Sequence, residues 1–305
     1  MKIIWLSFLT FVIVVTSVLT TSNISHENVF VDNQVLSASS SVQARLIKVP
    51  YIMTDSFPVF SAQAVLAVDL DSDAVLYEKN PDLPLLPAST TKIVTALVAM
   101  DNYSPNTVVT INNIEKIGQS MNLVTGEEIS VDSLLRGLLI ASANDAAEAL
   151  AHDFPGGRSA FIQKMNKKAE DLNLENTYFI NPSGLDAIGH ISTARDLVRV
   201  SEVAMELPYF AEIVGTKETL VSSVDGNFKH NLVNINELLG QVDGVLGVKT
   251  GWTENARENL VTYIERDGRR LMLAVLGSQD RFGETKELIE WIYGSYRWQE
   301  VTDIR

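Results

Sequence analysis

The 305-residue chain contains no cysteine, which excludes disulfides, thiolate zinc sites and a cysteine nucleophile. Histidine is scarce: His26, His152, His190 and His230 are scattered, and none stands at an H-E-x-x-H or similar ligand spacing. No metal and no other cofactor is therefore expected. Basic residues are outnumbered, 24 Lys and Arg against 38 Asp and Glu, for a formal charge of −14. That deficit argues against a nucleic-acid groove or an anionic membrane surface as partner, because both are answered by clustered Lys and Arg. No internal repeat is visible. What is present, 46% hydrophobic and 20% charged residues, suffices to bury the core of one large domain or two modest ones.

A long apolar run occupies Ile3 to Leu19, preceded by Lys2 and followed by Thr20-Thr21-Ser22-Asn23. It has the layout of an export signal. The run is long for a signal core and slightly short for a membrane span of roughly 20 residues, and no Ala-x-Ala processing site follows. Residues 1–22 are thus expected to be a signal peptide or an N-terminal membrane anchor. Either places the protein outside the cytoplasm, in a periplasm or at a cell surface. Residues 23–57 are polar and serine-rich without sustained periodicity, the composition of a flexible linker. A catalytic domain is expected over 58–300.

Within that span, Pro87-Ala88-Ser89-Thr90-Thr91-Lys92 opens a stretch whose apolar residues Ile93, Val94, Leu97, Val98 and Met100 follow helical spacing. Pro87 sets Ser89 at the helix start. Positions i and i+3 share a helix face, so the Lys92 amine can reach the Ser89 hydroxyl. Both stand in the first turn, where free backbone N–H groups and the positive dipole end disfavour a cation. A lysine so placed is pushed toward its neutral form and can take the serine proton, giving an activated nucleophile without histidine. The pair alone also fits an ordinary helix cap followed by an exposed lysine. Two further motifs in order change that reading: Ser142-Ala143-Asn144 and Lys249-Thr250-Gly251 complete the three-part signature of penicillin-recognising serine enzymes.

The periodicity predicts strands over Ala64 to Leu70, Ala74 to Tyr77, Val108 to Ile111, Glu218 to Ser223, Val245 to Thr250, Glu258 to Ile264 and Arg270 to Leu276. Helices are expected from Ser89 to Met100, Val131 to Ile140, Asp145 to His152, Arg158 to Leu172, Thr193 to Leu207 and Glu284 to Tyr293. Strands at both ends around a helical middle predict an α+β fold: an antiparallel central sheet built from both ends of the chain, flanked by helices, with an all-helical subdomain beside it. The cleft should lie at their border. Ser142-Ala143-Asn144 falls on a bend between two helices, and Lys249-Thr250-Gly251 at the end of a strand. There Gly251 lets another chain approach the backbone, Lys249 and Thr250 can hold a carboxylate, and the N–H groups of Trp252 and Ser89 can form an oxyanion hole. A phosphate-binding loop is excluded, since Val248 and not glycine precedes Lys249 and a strand follows. If Lys249 approaches Lys92, the like charge lowers the Lys92 pKa further.

From about Ala62 to Trp291 the chain resembles the serine-type D-alanyl-D-alanine carboxypeptidases, the low-molecular-weight penicillin-binding proteins, with a β-lactamase-like fold. Beyond the three motifs the resemblance includes Leu76-Tyr77-Glu78-Lys79-Asn80, Asn181-Pro182-Ser183-Gly184-Leu185, Ser192-Thr193-Ala194-Arg195-Asp196 and Val242-Asp243-Gly244. It implies that Ser89 attacks the bond between two D-alanines of a peptidoglycan stem pentapeptide, with Lys92 as acylation base and Ser142 relaying a proton to the leaving amine. Asn144, Lys249, Thr250, Gly251 and Trp252 would bind substrate, and Arg281, in the Asp280-Arg281-Phe282 turn, resembles a second carboxylate-binding arginine. β-Lactam antibiotics would be covalent inhibitors. Two features depart from the family: Glu254-Asn255-Ala256-Arg257-Glu258 replaces its glycine-rich run, and neither its β-rich second domain nor its C-terminal amphipathic anchor is expected in the sequence given. The alternatives on the same scaffold are an endopeptidase, a penicillin-binding sensor and a β-lactamase. The last would need E-x-x-L-N, which Glu170-Asp171-Leu172-Asn173 approaches but falls one residue short of.

Overall fold

One strand shows how this sequence makes two cores. In β10 (Arg269–Ser278), Leu271, Leu273 and Val275 face one buried cluster, while Met272, Ala274 and Leu276 face another. Successive side chains point to opposite faces, so a near-continuous apolar run means burial on both sides. The computed structural model describes residues 45–112 and 117–303. Its central sheet is antiparallel throughout, in the order β3-β2-β10-β9-β8, with β2 (Ala64–Asp69), β3 (Ala74–Lys79), β8 (Val245–Thr253) and β9 (Arg257–Arg266). The two ends of the chain therefore meet at the β2–β10 pair, where Ala67 lies opposite Leu273.

Against one face packs α7 (Arg281–Ser295), through Leu288, Ile289 and Ile292. The other face carries the helical part, α1 (Lys92–Asn102), α2 (Val131–Leu139), α3 (Asn144–Asp153), α4 (Gly157–Asp171), α5 (Ala194–Met205) and α6 (Pro208–Gly215). α1 is buried on every side from Lys92 to Ala99, which makes it the axis of the larger core. Ser130 caps α2 and Thr193 caps α5, each side chain accepting an N–H from the first turn.

Four expectations are corrected. The subdomain is not all helical: β4 (Val108–Thr110) pairs β5 (Glu128–Ser130), and β6 (Glu218–Ser222) pairs β7 (Lys229–Val233). β5 is three residues long and β7 is mostly polar, so neither carries an apolar signature. No helix was expected over α6, which is short and opens at Pro208. Residues 45–52, assigned to the linker, form β1 (Arg45–Ile52), which pairs with β11 (Tyr296–Asp303). Its partner lies some 250 residues away, and a two-stranded ribbon leaves little burial pattern to read. Arg281 is the first residue of α7, capped by Asp280, and not part of a turn. The leader (1–22) and the linker up to residue 44 lie outside the described residues, among which no helix is long and apolar enough to cross a membrane.

Candidate active site

Ser89 sits on a 3-10 turn (Ala88–Thr91) that runs directly into α1. The residue before it, Ala88, is held in the left-handed region at φ 48°, and Ser142 is held there at φ 57°. Non-glycine residues in that region are strained, and here one precedes Ser89 and the other accepts from Lys249. Two neighbours fix the turn. Asn259 of β9 donates to Leu86 O at 2.9 Å, and β8 passes so close that a Cβ at Gly251 would lie 3.0 Å from Pro87 O and 3.1 Å from Ser89 N. Glycine is thus the residue that lets the edge strand lie against the nucleophile.

The Lys92 side chain is fully buried. Its Nζ lies 2.7 Å from Ser89 Oγ, 2.6 Å from Asn144 Oδ1 and 2.7 Å from Ser183 O. Asn144 Nδ2 donates to Ile117 O, which turns Oδ1 toward the amine. Asn144 Oδ1 and Ser183 O can only accept, so they use two N–H groups of the lysine. A neutral amine has two N–H groups and one lone pair, and the lone pair is left for the Ser89 hydroxyl proton. The charge balance agrees: burial holds the Lys92 pKa well below the lysine range, the Lys249 charge lowers it further, and Asp145 and Glu148 oppose this weakly.

Lys249 lies within β8 and not at its end, because pairing with β9 continues to Thr253. Its Nζ donates to Ser142 Oγ at 2.9 Å, which joins the second and third motifs. Burial first, then the charge of Arg281, lowers its pKa to about 7. A carboxylate arriving beside Lys249 and Arg281 would favour the charged amine again. Arg281 Nη1 donates to Gly251 O at 3.0 Å, and burial lowers its pKa. Thr250 is buried beside Lys249, whereas the Trp252 side chain is 62% exposed. A cavity of about 570 Å³ is lined by Ser89, Asn144, Ser183, Leu185, Asp186 and Trp252 among others. Glu170 and Asn173 line a different cavity, with Tyr178, so the approximate deacylation motif is not at the nucleophile.

Sequence reasoning flagged Asn181-Pro182-Ser183-Gly184-Leu185 without seeing its task. Asn181 Oδ1 accepts the N–H groups of Ser183, Gly184 and Leu185, which curls the loop. Thr95 Oγ1 then donates to Pro182 O at 2.6 Å, Lys92 to Ser183 O, and Thr91 Oγ1 contacts His190 Nε2 at 2.8 Å. The first turns of α1 and the turn before it thus clasp the loop whose Ser183 carbonyl accepts from Lys92. Asp145 was missed as well; it accepts from Met121 N and Leu123 N, holding the segment that orients Asn144. No periodicity announces either partner: the Asn181–Leu185 segment is irregular backbone, and Asp145 is a polar residue in the first turn of α3.

A buried lysine base on a serine, at the border of an antiparallel sheet and a helical half, defines a serine acyl-transfer enzyme of the penicillin-recognising class. The comparisons narrow it. A profile described as D-alanyl-D-alanine carboxypeptidase matches residues 52–280, and the chain belongs to that family of serine peptidases. It is 36% identical over 241 residues to D-alanyl-D-alanine carboxypeptidase DacB2 of Mycobacterium tuberculosis, covering 75% of this chain and 81% of the relative. To D-alanyl-D-alanine carboxypeptidase DacF of Bacillus subtilis it is 33% identical over 246 residues, covering 77% of this chain but only 63% of that protein's length. The crystal structure of the Streptomyces K15 DD-transpeptidase superposes with a TM-score of 0.74 at 30% identity, over 78% of this chain and 99% of that one.

Proposed function

We propose that the protein removes the terminal D-alanine from peptidoglycan stem pentapeptides through an acyl-enzyme on Ser89. The observation that carries the reading is the Lys92 amine, buried, with two acceptors occupying its N–H groups and Ser89 Oγ at 2.7 Å. The peptide lies along the edge of β8 with its carboxylate at Lys249, Thr250 and Arg281, and its scissile carbonyl at Ser89 beside Gly251. Ser89 Oγ attacks the carbonyl carbon as its proton passes to Lys92 Nζ. The oxyanion is held by the N–H groups of Ser89 and Trp252. The C–N bond breaks as the leaving amine takes a proton through Ser142, which Lys249 steadies. Water then attacks the ester, giving its proton back along the same path, and the shortened peptide leaves. β-Lactams enter the same path and stop at the ester. The apolar leader supports an exported protein, anchored at the membrane if the leader is retained.

Free D-alanine released from a defined pentapeptide tests this, together with a labelled penicillin. Turnover and covalent labelling that are both lost in Ser89→Ala support the reading. Rapid drug hydrolysis would favour a β-lactamase, and cleavage confined to cross-linked stems an endopeptidase.

A further inference from the structure

Asp186 fastens the two walls of the Ser89 cavity to each other. One wall, Ser183–Asp186, is rooted on α1 by the bonds from Lys92 and Thr95. The other, Trp252–Glu254, is the end of edge strand β8 and the start of its turn into β9. Asp186 Oδ1 accepts from Thr253 Oγ1 at 2.7 Å, and Oδ2 accepts from Asn255 Nδ2 at 2.9 Å. Thr253 Oγ1 accepts in turn from Ala256 N at 2.9 Å. A single hydroxyl therefore accepts within the turn and donates a hydrogen bond to Asp186. The acyl-transfer steps above make no use of this carboxylate.

Its place along the strand assigns it a task. Thr253 stands three residues beyond Thr250, roughly 10 Å at the rise of a β-strand. An extended peptide held by its carboxylate at Lys249 and Thr250 advances at the same rate, so its third residue from the carboxyl end arrives at the Asp186 tie. We infer that Asp186, acting through Thr253 and Asn255, is a specificity-determining positioning residue that sets the groove for that third residue. The inference rests on the carboxypeptidase reading. The turn carries Glu254 and Asn255, bulky and polar, and among the described residues no strand lies on the outer side of β8 to hold it. Tying it to the opposite wall spares the peptide the cost of ordering it on binding.

The test compares an N-acyl-D-Ala-D-Ala dipeptide with an N-acyl-L-Lys-D-Ala-D-Ala tripeptide on the full chain. In Asp186→Ala, kcat/KM for the tripeptide falls about tenfold through KM, the effect of losing hydrogen bonds to a charged group. The dipeptide stays within about twofold, and penicillin labelling of Ser89 stays stoichiometric. Asn255→Ala reproduces part of the loss, and the double variant is no worse than Asp186→Ala, because both residues act through one tie. Equal losses on both peptides, an unchanged tripeptide, or loss of labelling would overturn the inference, since Asp186 would then be structural or idle. A wild-type protein that releases D-alanine from neither peptide would remove the carboxypeptidase reading itself.

Discussion

The state of Lys92 is written in its neighbours. Two acceptors that cannot donate, a hydroxyl that can, and full burial make the neutral amine the form that satisfies every partner. Lys249 adds a like charge, so Lys249→Gln raises the Lys92 pKa. Acylation needs the neutral amine, and its acid limb must therefore move to higher pH; an unmoved limb in the pH profile of penicillin acylation would break the coupling. The pair was legible in sequence because i and i+3 are fixed by helix geometry. The dominance of burial was not, since the groups that enclose Lys92 come from Asn144 and Ser183, 52 and 91 residues on.

At the scale of elements, the loop from 178 to 191 governs the nucleophile from behind. Gly184 has φ +87°, and a Cβ there would sit 1.9 Å from Ala88 O, inside the backbone that carries Ser89. Gly184→Ala is expected to cost about 3 kcal/mol in denaturant unfolding and to slow acylation, through both the strained φ and the clash. His190, beneath the same loop, has its pKa lowered by burial to about 4, with Asp186 opposing. The unfolded chain binds a proton there near 6.5 while the folded one does not. Stability therefore falls as pH drops from about 6.5 to 4, by at most about 3 kcal/mol. Melting curves of wild type and His190→Gln check this, the variant showing a shallower slope in that window. Long helices with clear periodicity, such as α2 and α5, were visible in the sequence to within a residue or two. Of the ribbons β4–β5 and β6–β7, the first strand of each was visible and its partner was not, because short half-polar strands such as β5 and β7 are specified by their partner and not by their own pattern.

Over the whole molecule, the catalytic crevice exists only where chain ends and chain middle meet. β8 and β9 bring Lys249 and Asn259 to the start of α1, and β2–β10 pairing closes the sheet around them. The ribbon β1–β11 adds to the far edge: Trp298 Nε1 donates to Asp69 Oδ2 at 2.6 Å. Trp298→Ala is expected to lower unfolding free energy by about 2–3 kcal/mol while leaving the rate of penicillin acylation unchanged. A matching loss of rate would mean that the ribbon reaches the site. The overall architecture was readable from strands at both ends and helices between; the ribbon was not, because its two strands are the most distant segments among the described residues. All of this serves one amine. Its titration can be followed directly by NMR of lysine labelled at Cε, with the Lys92 signal assigned from Lys92→Met. A midpoint well below the ordinary lysine value near 10.4 is the predicted result, and a midpoint at that value would contradict the account.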